Sequence, residues 1–135
     1  MSRILGYNFP SVNNSLSAIC ALQNTIGADD LILNGGFVDH VTGLMSFKNK
    51  GYSRNVSFSS VADNSGVNFS IVGTENGVVV TETGANAIVG PNNSPVNGPV
   101  YSAKTYDTIT SISTDGAVNG IEVGGGGLGY FGPLG

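Results

Sequence analysis

Few side chains in this chain could do chemistry, and they are scattered. His40 is the single histidine among 135 residues. It stands in Val38-Asp39-His40-Val41, a loop-like context with no strained nucleophile motif beside it. A Ser-His-Asp arrangement assembles in space rather than along the chain, but these neighbours favour a surface histidine. Asp29-Asp30 and Asp63-Asn64-Ser65 carry oxygens that calcium could use. Neither repeats them at the regular spacing of a calcium loop, so turn formation accounts for both. The run Gly124 to Gly127 matches a phosphate cradle only in its glycines. It lacks the Lys-Ser/Thr that should follow and the helix whose N-terminus would hold the anion. Glu75 and Glu82 flank a hairpin signal and are expected to face solvent. Cys20 is the single cysteine, so no internal disulfide forms. Its setting, Ala18-Ile19-Cys20-Ala21-Leu22, predicts a small buried thiol. These residues form no catalytic, metal or cofactor constellation; the chain is expected not to be an enzyme and to need no cofactor.

The elements around these residues read as strands. Val56 and Phe58 alternate with Asn55, Ser57 and Ser59, while Val67, Phe69 and Ile71 alternate with Asn68 and Ser70. A period of two suits a half-buried strand, because successive side chains point to opposite faces. Asn76-Gly77 tolerates the positive φ of a tight hairpin and leads into Val78-Val79-Val80-Thr81-Glu82-Thr83. Asp63-Asn64-Ser65-Gly66 is a second turn signal. Residues 55 to 83 are therefore expected to form a three-stranded antiparallel meander. Further strands are predicted at Ser17 to Leu22, Leu31 to Leu33, Leu44 to Phe47, Val100 to Thr105, Thr108 to Thr114 and Asn119 to Val123. A turn is expected at Gly27 to Asp30, and Asp115-Gly116 turns between the last two strands. The fold class is all-β: a single antiparallel β-sandwich of about eight strands, with a closed barrel as the alternative. The meander would supply one sheet, and the 100–123 pair with the N-terminal strands the rest.

Composition agrees with strands and limits the partners. Of the residues, 10% are charged, 40% are hydrophobic and 21 are Gly. The polar remainder is mainly Ser, Thr and Asn, which suits strands and tight turns better than helices. It also fits a surface largely covered by neighbours. Net charge is −4, and the basic residues are Arg3, Lys48, Lys50, Arg54 and Lys104. This is no basic footprint for nucleic acid. The cluster Lys48, Lys50, Arg54 reads as a solvated loop and strand end. No apolar run approaches membrane-spanning length, and Met1-Ser2-Arg3 opens no long apolar secretion signal. Neither a membrane nor a nucleic acid is expected as a partner.

Three segments stand apart as interface candidates. Residues 1–16 form an extended arm, interrupted by Pro10 and Asn13-Asn14. Ile4, Leu5, Tyr7 and Phe9 on this arm must pack either on the domain or on a neighbouring chain. Residues 17–123 are the sandwich. Within it, Gly90 to Pro99 reads as a projecting loop carrying Pro91 and Pro95, of a length often tied to function. Residues 124–135 are a glycine-rich tail, with Tyr130, Phe131 and Leu134 as apolar anchors beyond a flexible tether.

Several stretches taken together resemble a group of small structural proteins of tailed bacteriophages. They are Arg54 to Ser60 followed by Asp63-Asn64-Ser65-Gly66 and Val67 to Thr74; Thr81-Glu82-Thr83-Gly84-Ala85-Asn86; and Tyr101 to Ile112 with its Thr108-Ile109-Thr110 run. Ile19-Cys20-Ala21-Leu22-Gln23 and Leu31-Ile32-Leu33-Asn34-Gly35 are similar to the same group. The resemblance spans roughly residues 17 to 123. The 90–99 loop and the tail depart from the pattern. The resemblance implies a virion component made in the host cytoplasm: a capsid decoration, or cement, protein. Its partner would be the major capsid protein, and it would form a homo-oligomer, dimer or trimer, at local symmetry axes. The arm and the tail would make bridging contacts. A head–tail connector or tail component, and a host-surface binding module, are the other roles considered.

Overall fold

The computed structural model describes residues 16–39, 41–43, 45–47 and 53–126. Ten strands lie among these, four of them two residues long. In chain order they are β1 (Cys20–Thr25), β2 (Asp29–Asp30), β3 (Met45–Ser46), β4 (Val56–Ser60), β5 (Asn68–Glu75), β6 (Val78–Glu82), β7 (Ile88–Val89), β8 (Val100–Tyr101), β9 (Thr108–Thr114) and β10 (Val118–Gly125). A 3₁₀ turn covers Gly84–Asn86, and one helical turn, α1, covers Ser94–Asn97. All pairings are antiparallel. The small sheet has the order β1-β10-β4-β8. The large sheet has the order β2-β9-β5-β6, with β3 added beside β9 and β7 beside β5. The all-β sandwich expected from the period-two patterning is the fold.

The core lies between the sheets. Val56, Phe58, Ile121 and Val123 face inward from the small sheet, and Phe69, Ile71, Ile109 and Ile112 from the large one; all are fully buried. Phe58 and Phe69 meet across the gap with ring centroids 4.8 Å apart. That tilted contact adds about 1 kcal/mol to the simple burial of two rings. Cys20 is buried in the same core, and burial pushes its thiol up to about 12. The neutral thiol therefore packs as a small apolar group.

The expected meander is divided between the sheets. β5 and β6 form the hairpin, with Asn76 and Gly77 at φ +53° and +81° as a tight two-residue turn requires. β4 instead lies inside the small sheet, between β10 and β8. The Asp63 to Gly66 turn carries the chain across to the other layer, and Asn64 anchors that crossing. The Asn64 backbone N–H donates to Pro91 O, its Nδ2 donates to Asn119 O, and its Oδ1 accepts from Asn119 N–H. Alternation tells which face of a strand is buried but not which strand it pairs with, so β4 and β5 look alike in sequence. The 100–123 pair divides in the same way: β9 joins β5, while β10 joins β4 and β1.

Several elements also differ from expectation. The strand expected at 17–22 runs from Cys20 to Thr25, and β8 ends at Tyr101 rather than near Thr105. Leu31 to Leu33 is not a strand; Asp29–Asp30, expected in a turn, pairs with β9 instead. There the Gln23 side chain stands in for a strand partner: Ile32 N–H donates to Gln23 Oε1, and Gln23 Nε2 donates to Ile32 O. At the C-terminal end, β10 continues through Gly125, past the Val123 boundary. Gly126 N–H then donates to Asn55 O, and a Cβ at Gly126 would lie 2.0 Å from Asn55 Oδ1. The buried Asn55 side chain fills the space a Cβ would need, so crowding there, rather than a need for flexibility, suits glycine.

Candidate binding surface

Two regions are set apart by how they treat their buried polar side chains. The first closes one open edge of the sandwich, where residues 102–108 pass the β5–β6 hairpin. Glu82 is 2% exposed, contrary to the solvent-facing position expected for it. Tyr106 Oη donates to Glu82 Oε1 at 2.6 Å, Ala103 N–H donates to Oε2 at 2.9 Å, and Lys104 N–H donates to Oε1 at 3.2 Å. Burial, with the hydrogen bond to Glu82 and its charge behind it, pushes the Tyr106 phenol far above its ordinary value. The phenol therefore stays a donor. Asp107, also buried, accepts from Ser53 Oγ at 2.5 Å and from Asn76 N–H at 2.6 Å. Glu75 Oε2 accepts from Thr105 Oγ1 at 2.5 Å. These three carboxylates hold the 102–108 segment to the hairpin. Such bonds to charged acceptors are each worth about 1.5–3 kcal/mol when the partner donors would otherwise be left bare.

A signal for Glu82 is present in the sequence. The Asn76-Gly77 turn sets the hairpin register, and counting back from it puts Glu82 opposite Ile71, on the core face. Alongside this region β6 is the edge of the large sheet. Val78 and Val79 are 66% and 67% exposed there, and Val89 on β7 is also exposed. Lys104 Nζ donates to Thr81 O on the same edge.

The second region is the outer face of the small sheet. Ser59 stands opposite Glu122, and Ser57 opposite Gly124. Because Val56, Phe58, Ile121 and Val123 face the core, the alternate positions Ser57, Ser59, Gly120, Glu122 and Gly124 face outward. Serine and glycine make a shallow floor. Leu16, Leu22, Val61, Pro95 and Pro99 form apolar walls around its Ser59–Glu122 end, enclosing a groove of about 360 Å³. Leu22 and Val61 are strongly exposed. Ser59 is 4% exposed, yet its hydroxyl has no hydrogen-bond partner, and neither does that of Ser57. A buried hydroxyl without a partner costs about 1–3 kcal/mol, so most such groups are satisfied.

The loop at Gly90 to Pro99 forms one wall of this groove. Its composition predicts a projecting loop; instead it is bonded to the end of β4. Ser60 N–H donates to Ser94 Oγ, Ser60 Oγ donates to Pro91 O, and Asn92 bridges to Asp63. Pro91 is buried beneath the loop, and Pro95 is exposed on the groove wall. The structure therefore separates these two candidates. Ile4, Leu5, Tyr7, Phe9, Tyr130, Phe131 and Leu134 lie outside the described residues, as do His40, Lys48 and Lys50. Asp63 is exposed and accepts from the Ser65 hydroxyl and N–H, as an Asx turn does; those bonds hold its carboxyl below its ordinary value. Among the described residues no three His, Cys, Asp or Glu side chains gather as metal ligands, and no helix is long and apolar enough to cross a membrane.

Fold and surface define a two-sheet all-β domain with a groove on the outside of its smaller sheet. Comparison with protein-family models, with characterised proteins and with solved structures finds no match in any of the three.

Proposed function

We propose that this chain is a structural protein of a tailed-bacteriophage virion: a capsid decoration protein that bridges and stabilises neighbouring major capsid protein subunits. The motifs at 54–74, 81–86 and 101–112 motivate the phage assignment. The observation that carries a contact role is the distribution of polar and apolar groups. Buried carboxylates are committed to holding the fold, while Val78, Val79 and Val89 stand exposed along one sheet edge. An open, valine-rich edge suits main-chain pairing or apolar contact with another protein. A decoration protein that binds only the assembled shell stabilises it by mass action. Tyr130, Phe131 and Leu134 would add contacts beyond the edge, and copies would group at local symmetry axes.

Quantitative mass spectrometry of purified particles tests this reading. A molar ratio to the major capsid protein near one, or a simple fraction such as about a third, is the expected result for subunits on symmetry-related sites. A Val79→Glu variant should fail to bind shells that lack the protein. A ratio of a few per cent would move the chain to a connector or tail, and absence from particles would overturn the virion role.

A further inference from the structure

We propose that the groove on the small sheet is the seat of this chain's own N-terminal segment, with Ile4 to Phe9 filling it and Arg3 meeting Glu122. Four observations point to that occupant. Leu16 is itself part of the groove wall, so the preceding residues start at its lip. Phe9 is seven residues upstream, and an extended chain of that length reaches about 25 Å, enough to cover the face and return. Pro10 and Asn13-Asn14-Ser15 lie between them, and these are the residue types that let a chain double back. The charges also match: Glu122 is the single charged side chain lining the groove, and Arg3 is the single charged side chain in residues 1–15.

The floor of the groove fits a peptide rather than a bare apolar ligand. Ser59 is buried with its hydroxyl unpartnered on the face the segment would cover. A main-chain group laid along the sheet satisfies it, while Tyr7 or Phe9 packs between Leu22, Val61 and Pro95. The C-terminal tail is the competing occupant. Residues 127–135 carry no charged side chain and offer nothing to Glu122. Tethering favours the chain's own segment over a second copy, because a short linker holds it at an effective concentration of order millimolar. The proposal does not depend on the virion role.

The test uses the full-length protein. Isotope-filtered NMR on an equal mixture of labelled and unlabelled chains should give contacts between the Tyr7 or Phe9 ring and the Leu22 or Val61 methyls, all within one molecule. Trypsin cleavage after Arg3 should be slow, and at least tenfold faster in Leu22→Asp, whose exposed position keeps the fold intact by circular dichroism. Glu122→Lys should accelerate cleavage as well, and added salt should reduce the difference from Glu122→Gln. Contacts between molecules, contacts from Tyr130 or Phe131 in place of the arm, or equal cleavage rates in parent and variants would each overturn the proposal.

Discussion

The edge of the sandwich at Glu82 and the outer face at Ser59 treat buried polar groups in opposite ways. At the edge, Glu82 has three donors and Asp107 has two. On the outer face, the Ser57 and Ser59 hydroxyls are as well buried and have none. A charge taken out of water without partners is far costlier than a hydroxyl. The fold therefore satisfies its carboxylates internally and leaves the cheaper groups on the outer face of the small sheet, Ser59 among them at the groove. The difference separates a region that holds the molecule together from one available for contact.

Breaking the first region should have the largest effect. Glu82→Ala strands the Tyr106 hydroxyl and two backbone N–H groups, and should cost about 3–5 kcal/mol in urea denaturation. Glu82→Gln keeps one acceptor and should lose less, about 1–2 kcal/mol. Equal losses in the two variants would mean that the carboxylate charge carries the contact, not the acceptor geometry. The second region should respond in the other direction. Ser57→Ala, on the same face but outside the groove, removes a hydroxyl without a partner, so stability should stay within about 0.5 kcal/mol of the parent or rise slightly. A loss of about 2 kcal/mol or more would show that Ser57 is bonded in solution and would erase the contrast.

The smallest effect concerns Asp63, which is exposed. Its folded carboxyl titrates below the ordinary 3.8 because the Ser65 hydroxyl and N–H donate to it. A lowered folded value means the unfolded chain binds the proton first. The contribution is therefore complete above the unfolded value and is lost as pH falls from about 4 through the folded value. Asp63→Asn should make the acid limb of the stability profile slightly shallower. An unchanged limb would remove this turn from the account.

Much of the fold is legible in the residues themselves. The turn at Asn76-Gly77 stands out because few residues other than Asn, Asp and Gly accept its positive φ, and the one at Asp63 to Gly66 because the Asp63 side chain can accept from Ser65 N–H. β9 falls at its expected bounds, although a register shift at Thr110 leaves its core-facing Ile109 and Ile112 three residues apart. Glu82 is misplaced by a reading of charge alone, which suggests solvent, although the hairpin register puts it on the core face. The groove is not legible at all. Its residues come from positions 16, 22, 59–61, 94, 95, 99, 120 and 122, and nothing local links them.

The sequence by itself determined that this is an all-β domain, where its tight turns fall and which side of each long strand is apolar. These depend on neighbouring residues, through side-chain alternation and local φ preferences. Only the tertiary structure decided that β4 leaves β5 for the other sheet, that β9 and β10 part company, and that Ser59 comes to lie beside Glu122 under Leu22 and Pro95. Strand partnership depends on how two whole layers bury their inner faces against each other, and that energy belongs to pairs of residues far apart in the chain.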